Sequence, residues 1–130
     1  MLIIDSSALV KYIAKEEGWK NVEKILLEGV FTLELALKEA ANALWKKVVK
    51  FHDLSKSDAA SILKKLKNIV KIAPQNDLLC SALEIAIEDG ITVYDALYIA
   101  AAIKFKATLV TADRKQAEIA EKRNVKVITV

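Results

Sequence analysis

Apolar residues recur along this chain in two rhythms. Short runs rich in β-branched residues, Leu2–Ile4, Thr108–Thr111 and Val125–Val130, have the length and composition of strands. Val70–Ala73, closed by Pro74, is a fourth candidate, and Val30–Thr32 is either a very short strand or a turn. Between these runs the apolar positions follow helical spacing. Helices are predicted over about Ala8–Lys15, Trp19–Glu28, Leu33–Phe51, Asp58–Ile69, Asp77–Asp89, Tyr94–Phe105 and Lys115–Lys122. The second buries Val22, Ile25 and Leu26 on one face, and the third carries a stripe of Leu37, Ala40, Ala41, Leu44 and Val48. Ser6 and Ser7 supply N-cap chemistry for the first helix, Ser55 to Asp58 for the fourth and Thr92 for the sixth, while Gly18, Gly29 and Gly90 stop helices.

Alternation of helix and short apolar strand from end to end predicts a mostly parallel sheet covered on both faces, a three-layer α/β/α domain spanning residues 1–130. Sites in open sheets of this kind form beyond the carboxyl ends of strands. Asp5 follows the first strand and Asp113 follows Thr108–Thr111. Asp95 stands at the entrance of the helix that feeds this strand. If helix and strand pack antiparallel, Asp95 and Asp113 share one edge of the fold. Glu39 lies beside the stripe of the third helix, with Asn42 next to it on the helix surface.

Composition narrows the chemistry. The 130 residues carry a net charge of only +3, too little to imply nucleic acid by itself. Lysine outnumbers arginine, and Glu/Lys pairs decorate the helices in the manner of thermophile surfaces. The chain opens without a secretory signal, and no apolar run approaches the roughly 20 residues of a membrane span. Cys80, the single cysteine, sits in the apolar run Leu78–Leu83 and reads as a buried small hydrophobe, which suits a reducing, cytoplasmic setting. Lone His52 and Cys80 make no zinc site.

Each acid has a structural explanation as well. Asp5 and Asp113 could cap helices, Asp95 fits a capping box begun by Thr92, and Glu39 could be a surface glutamate. Taken together, clustered carboxylates repel one another unless a cation neutralises them. Mg²⁺ suits such a set, since it takes few protein carboxylates and keeps several waters.

Ile3-Ile-Asp-Ser-Ser-Ala-Leu9, Glu39-Ala-Ala-Asn-Ala-Leu44, Tyr94-Asp-Ala-Leu-Tyr-Ile-Ala-Ala-Ala102 and Leu109-Val-Thr-Ala-Asp113 resemble, in order and spacing, the four acidic motifs of the PIN-domain nucleases, and among them the VapC-type toxin ribonucleases. The resemblance covers nearly the whole chain. It implies a five-stranded parallel sheet and an acidic pocket of Asp5, Glu39, Asp95 and Asp113 that holds Mg²⁺ or Mn²⁺. Ser6, Ser7 and Thr111 would support that pocket, and Asn42 would line it. The implied activity is endonucleolytic hydrolysis of RNA that leaves a 5′-phosphate and a 3′-hydroxyl. The implied partners are a cognate antitoxin protein and a second copy of the chain, with no membrane association.

Lys11, Lys46, Lys47, Arg114 and Lys115 lie on elements next to the acids and are candidates for RNA phosphates. Tyr12, Trp19, Val22, Leu26, Leu27 and Trp45 exceed what one core face absorbs and predict an association surface. The competing reading is a catalytically silent RNA- or protein-binding module of the same fold. A phosphotransfer or receiver domain is disfavoured, because Asp5 is followed by Ser-Ser-Ala and not by a second acid.

Overall fold

The computed structural model describes all residues, Met1–Val130. Five strands, β1 (Leu2–Ile4), β2 (Phe31–Thr32), β3 (Lys71–Ile72), β4 (Thr108–Thr111) and β5 (Val127–Thr129), form one sheet in the order β3-β2-β1-β4-β5. Every pairing is parallel, so the predicted three-layer α/β/α arrangement is what forms. Seven helices connect the strands: α1 (Ser6–Ile13), α2 (Trp19–Glu28), α3 (Glu34–Val49), α4 (Lys56–Ile69), α5 (Leu79–Asp89), α6 (Val93–Phe105) and α7 (Arg114–Lys122).

Strand order decides where the helices go. From β1 the chain steps outward to β2 and β3, then returns past β1 to β4 and β5. Right-handed crossovers put the helices of the outward steps on one face and those of the return on the other. The packing follows this rule: α1 meets α2 and α3, α3 meets α4, and α5 packs on α6. The direction of winding reverses between β1 and β4, and a crevice opens there at the carboxyl ends of the strands. Register fixes the crevice closely, with Ile4 opposite Val110 and the Asp5 N–H donating to Val110 O at 3.0 Å.

The middle of helix α6 is apolar all round because it is buried all round. Ala96 through Ala102 are all buried, and the alanines let α5 and the sheet approach closely. Asp95, one residue earlier, is exposed at the helix mouth.

Several local expectations change. The N-cap of α1 is Asp5, which accepts from Ala8 N at 3.0 Å, and Ser6 is the first helical residue. The serines lose the role because Asp5 carries the extended backbone of the cap. Helix α5 begins at Leu79, after a 3₁₀ turn over Asn76–Leu78. Cys80 is exposed, not buried. It lies on the outer face of α5 while Leu78, Ala82, Ile85 and Ala86 turn inward.

Candidate functional site

Three helix N-termini supply the acids at the crevice, and helix N-termini favour negative charge. Asp5 caps α1, Asp113 caps α7 by accepting from Gln116 N at 3.2 Å, and Asp95 lies in the first turn of α6. Capping and clustering are therefore properties of the same carboxylates and do not compete as explanations. Thr92 Oγ1 accepts from the backbone N–H of Asp95 at 3.2 Å. That cap bond does not require the Asp95 carboxylate.

Asp5 is the anchor. It is buried, and three donors converge on it: Ser7 Oγ at 2.6 Å and Ala8 N at 3.0 Å on Oδ1, and Thr111 Oγ1 on Oδ2. Each hydroxyl spends its only proton on the carboxylate. The 3.2 Å approach of Ser7 Oγ to Thr111 Oγ1 is thus contact between two acceptors. The hydroxyls accept in turn, Ser7 from Ala112 N at 2.9 Å and Thr111 from Asp113 N at 3.0 Å. Through Ser7 and Thr111, β4 and the turn to Asp113 are tied to Asp5.

Burial pushes the Asp5 carboxyl above its ordinary 3.8, and the Asp113 charge adds to the rise. The three donors pull the other way without prevailing. Asp95 is also raised, first by partial desolvation and then by Asp113. Lys115 and the Thr92 hydroxyl offset part of that rise. A raised folded value means that the native state keeps a proton the unfolded chain has released. The contribution to stability is intact below 3.8 and is lost as pH climbs through the folded pKa. In chelator, Asp5→Asn should therefore gain most over wild type near pH 7 and least near pH 4. Paired thermal melts at the two pH values check this; a constant difference would mean that Asp5 titrates normally.

Tyr98, on the turn of α6 after Asp95, is buried beneath the acids. Its hydroxyl makes no hydrogen bond of normal geometry. Burial and the charges of Glu39, Asp5 and Asp95 push its pKa far up, and the nearby Ser6 hydroxyl offsets little. The tyrosine thus senses three of the four acids at once. Glu39 enters from α3 and lines a cavity with Ser6, Ser7, Ala112 and Asp113. Glu34, by contrast, faces a separate cavity toward Pro74 and lies 3.9 Å from Lys38. Tertiary structure thereby selects Glu39 over its neighbour.

The remaining candidates divide. Asn42, Lys46 and Lys47 line the cavity that adjoins Glu39. Lys115 acts on Asp95, and Arg114 is exposed at the start of α7. Lys11 lies against Gly18, toward the far end of α1. Two residues were missed in the sequence. Gln116 Nε2 donates to Asp95 O at 2.8 Å while its own N–H is capped by Asp113, so one buried side chain braces α7 against the mouth of α6. Its signal was a polar residue at helical spacing with Ile119 and Ala120. Tyr98 was readable as the i+3 neighbour of Asp95.

No three Asp, Glu, His or Cys side chains form a closed ligand cage. A cation here would be held by one or two carboxylates with water completing the shell, which is how Mg²⁺ is commonly bound. Asp5 suits that manner of binding: three of a carboxylate's roughly four acceptor positions are filled and one remains. The Tyr98 hydroxyl beneath the acids is buried and unpartnered, a polar atom left over beside the carboxylates. The residues present fit the ion.

Comparison with known proteins agrees with this architecture. The PIN domain family model matches residues 2–122. Ribonuclease VapC3 of Pyrobaculum aerophilum is 34% identical over 122 residues, covering 90% of this chain and 92% of the relative. Exonuclease VapC9 of the same organism is 34% identical over 114 residues, covering 87% and 80%. The crystal structure of PAE2754 from P. aerophilum superposes with a TM-score of 0.69 at 30% identity, covering 91% of this chain and 83% of that one. With this fold, this order of acidic positions and these relatives, the chain belongs to the PIN-domain family, among its VapC-type members.

Proposed function

We propose that this chain is a Mg²⁺- or Mn²⁺-dependent endoribonuclease, a single domain that acts in the cytoplasm as the toxin of a toxin–antitoxin pair. The observation that carries the reading is Asp5: a buried carboxylate, fixed by Ser7, Thr111 and Ala8, at the reversal of the sheet and within electrostatic reach of Asp113. Such a group is costly to bury and is kept where its charge is used. The name of the VapC3 ribonuclease supports RNA as substrate.

In this reading the chain's residues divide the work. Ser7 and Thr111 hold Asp5 in one orientation. Asp95 and Asp113, exposed and braced by Gln116, add negative charge that draws a divalent cation. Glu39 supplies an acceptor for a proton of the attacking water from across the cavity. Lys115 and Arg114 meet the phosphate at the exposed rim. When bound, Mg²⁺ or Mn²⁺ supplies water of lowered pKa and neutralises charge on the phosphoryl oxygens. The test is cleavage of single-stranded RNA in Mg²⁺ and in EDTA. Cleavage with 5′-phosphate products in Mg²⁺ alone is expected. Equal cleavage in both, or none in either, would overturn the reading.

Two protein partners belong to this proposal. Tyr12, Trp19, Ile62 and Leu66 line an apolar cavity of about 270 Å³ between α1, α2 and α4, rimmed by Lys15, Lys65 and Glu23. An amphipathic antitoxin segment suits it. Structures of VapBC2 from Rickettsia felis and FitAcB from Neisseria gonorrhoeae share the fold, at 18% and 16% identity.

The second partner is another copy of the chain. Of the residues expected to mediate association, Val22 and Leu26 are core and Tyr12 packs against Trp19 in a tilted pair with ring centroids 6.3 Å apart, leaving Leu27 and Trp45 exposed. The larger apolar face is on α5, where Leu79, Leu83 and Ile87 recur every four positions, each at least half exposed. Leu83→Lys should convert a dimer into a monomer at micromolar concentration without unfolding it, as read by light scattering and circular dichroism. A wild type already monomeric at high micromolar concentration would remove the dimer from the proposal.

A further inference from the structure

The cavity that holds Glu39 and Asp113 does not end with them. Val10, Glu16 and Glu39 also rim a second cavity of about 610 Å³ that continues between α1 and α3. The two form one groove, and its chemistry changes along its length. Hydroxyls and carboxylates line the end at Ser7 and Asp113, while Asn42, Lys46, Lys47 and Phe51 line the other.

The lysines differ. Lys47 is largely covered and held by Asp53 at 3.1 Å. Lys46 is exposed and forms no ion pair. Phe51 follows α3, where its N–H donates to Lys46 O at 3.0 Å. His52 then turns the chain back through a left-handed conformation, with φ at 53°. The ring is therefore set at the groove's far end, and Phe51 is 65% exposed. One exposed aromatic is ordinary on a protein surface. Phe51 differs in closing a groove that carries an unpaired cation and leads to the acids.

We propose that this groove is the path of single-stranded RNA: Phe51 is the platform on which an unpaired base stacks, and Lys46 neutralises a phosphate between that base and the acids. The position of the scissile phosphate at the acid end rests on the nuclease reading above; the stacking site rests on the groove. Seven positions on α3 separate Glu39 from Lys46, about 10 Å along the helix axis, so the phosphate at Lys46 lies near the acids and the Phe51 platform, past the end of α3, serves the nucleotide beyond it. Every base has a π face, so an aromatic platform tolerates sequence while requiring that the base be unpaired. A duplex keeps its bases stacked inside and offers Phe51 nothing to hold. Glu16, midway, repels phosphate and leaves the contact to Lys46.

The test is binding in EDTA, where metal-dependent cleavage is silent, with a short single-stranded RNA carrying 2-aminopurine, whose fluorescence falls on stacking. Wild type should quench it. Phe51→Leu should lose the quenching and bind about fivefold to a hundredfold more weakly, the range of one base–aromatic stack. Phe51→Trp should restore both. Lys46→Ala should weaken binding of all single strands alike and lower the salt slope by about one unit. The duplex of the same sequence should bind more weakly than the single strand.

Wild-type affinity and quenching in Phe51→Leu would overturn the proposal. So would a duplex bound as tightly as the single strand, or no RNA bound by wild type at low salt. A Phe51→Leu change that alters only the oligomeric state would reassign the ring to a protein contact. The nuclease reading fails separately. RNA that stacks on wild type but is never cut in Mg²⁺ removes catalysis and leaves the groove. Metal-dependent cleavage with unchanged KM in Phe51→Leu removes the groove and leaves catalysis.

Discussion

Asp5→Asn is expected to abolish RNA cleavage while the chain stays folded, and this is the largest effect we anticipate. The carboxylate is fixed by three donors at the strand reversal, and one acceptor position remains open. Asparagine keeps the size but loses the charge. Its amide also presents a donor to Thr111, whose hydroxyl must reorient to accept. Charge stabilisation by a bound divalent cation contributes several kcal/mol to a phosphoryl transfer. Weakening its principal ligand should then lower kcat/KM by at least about a thousandfold, at roughly tenfold per 1.36 kcal/mol. Helix α1 should survive, since the asparagine oxygen can still cap Ala8 N. Single-turnover cleavage in saturating Mn²⁺ and far-ultraviolet circular dichroism check the two halves of this expectation. Activity within tenfold of wild type would remove Asp5 from the reaction.

The second large effect is the response of stability to metal. An ion that binds only the folded chain adds about 2.7 kcal/mol at a hundred times its dissociation constant. Wild type should therefore melt well above its EDTA value in excess Mn²⁺. Asp95→Asn should lose much of that gain and yet melt no lower than wild type in EDTA. Its carboxyl is raised by partial burial and by Asp113, and removing the charge relieves both. The cap does not suffer, because Thr92 binds the backbone N–H that asparagine retains. Thr92→Ala is the mirror experiment: it should cost about 1 kcal/mol in EDTA and leave the gain from Mn²⁺ nearly intact. If Asp95→Asn instead melts lower in EDTA and gains as much from Mn²⁺ as wild type, the carboxylate is structural. Glu34→Gln serves as a control away from the acidic cavity.

Much of this molecule was legible in its sequence because its signals are local. Leu2–Ile4 and Thr108–Thr111 are short, apolar and β-branched, and each is followed within two residues by an aspartate. Helical spacing and caps set α2, α4 and α6 to within a residue or two of their observed bounds. Alternation then required a parallel sheet, and a parallel sheet put Asp5 and Asp113 at one edge.

Other features depend on which surfaces meet, and tertiary structure alone decided those. The polar stripe of helix α5, Ser81, Glu84 and Glu88, is narrow, and the wide apolar remainder could not tell that Ala82 and Ile85 face inward while Cys80, Leu83 and Ile87 face out. Burial there is assigned by the packing of α6, a neighbour the pattern does not identify. Glu34 and Glu39 lie about 140° apart on α3, and the position of α1 against that helix selects Glu39. The clasp of Ser7 and Thr111 on Asp5 joins residues more than a hundred positions apart, and exists only because the return crossover sets β4 beside β1. The same packing strands the Tyr98 hydroxyl among the acids and joins two cavities into a groove ending at Phe51. A sequence states which residues have the chemistry and which local shape they take. The order of the strands determines which of them meet, because long-range contacts follow from the whole set of crossovers and not from any one segment.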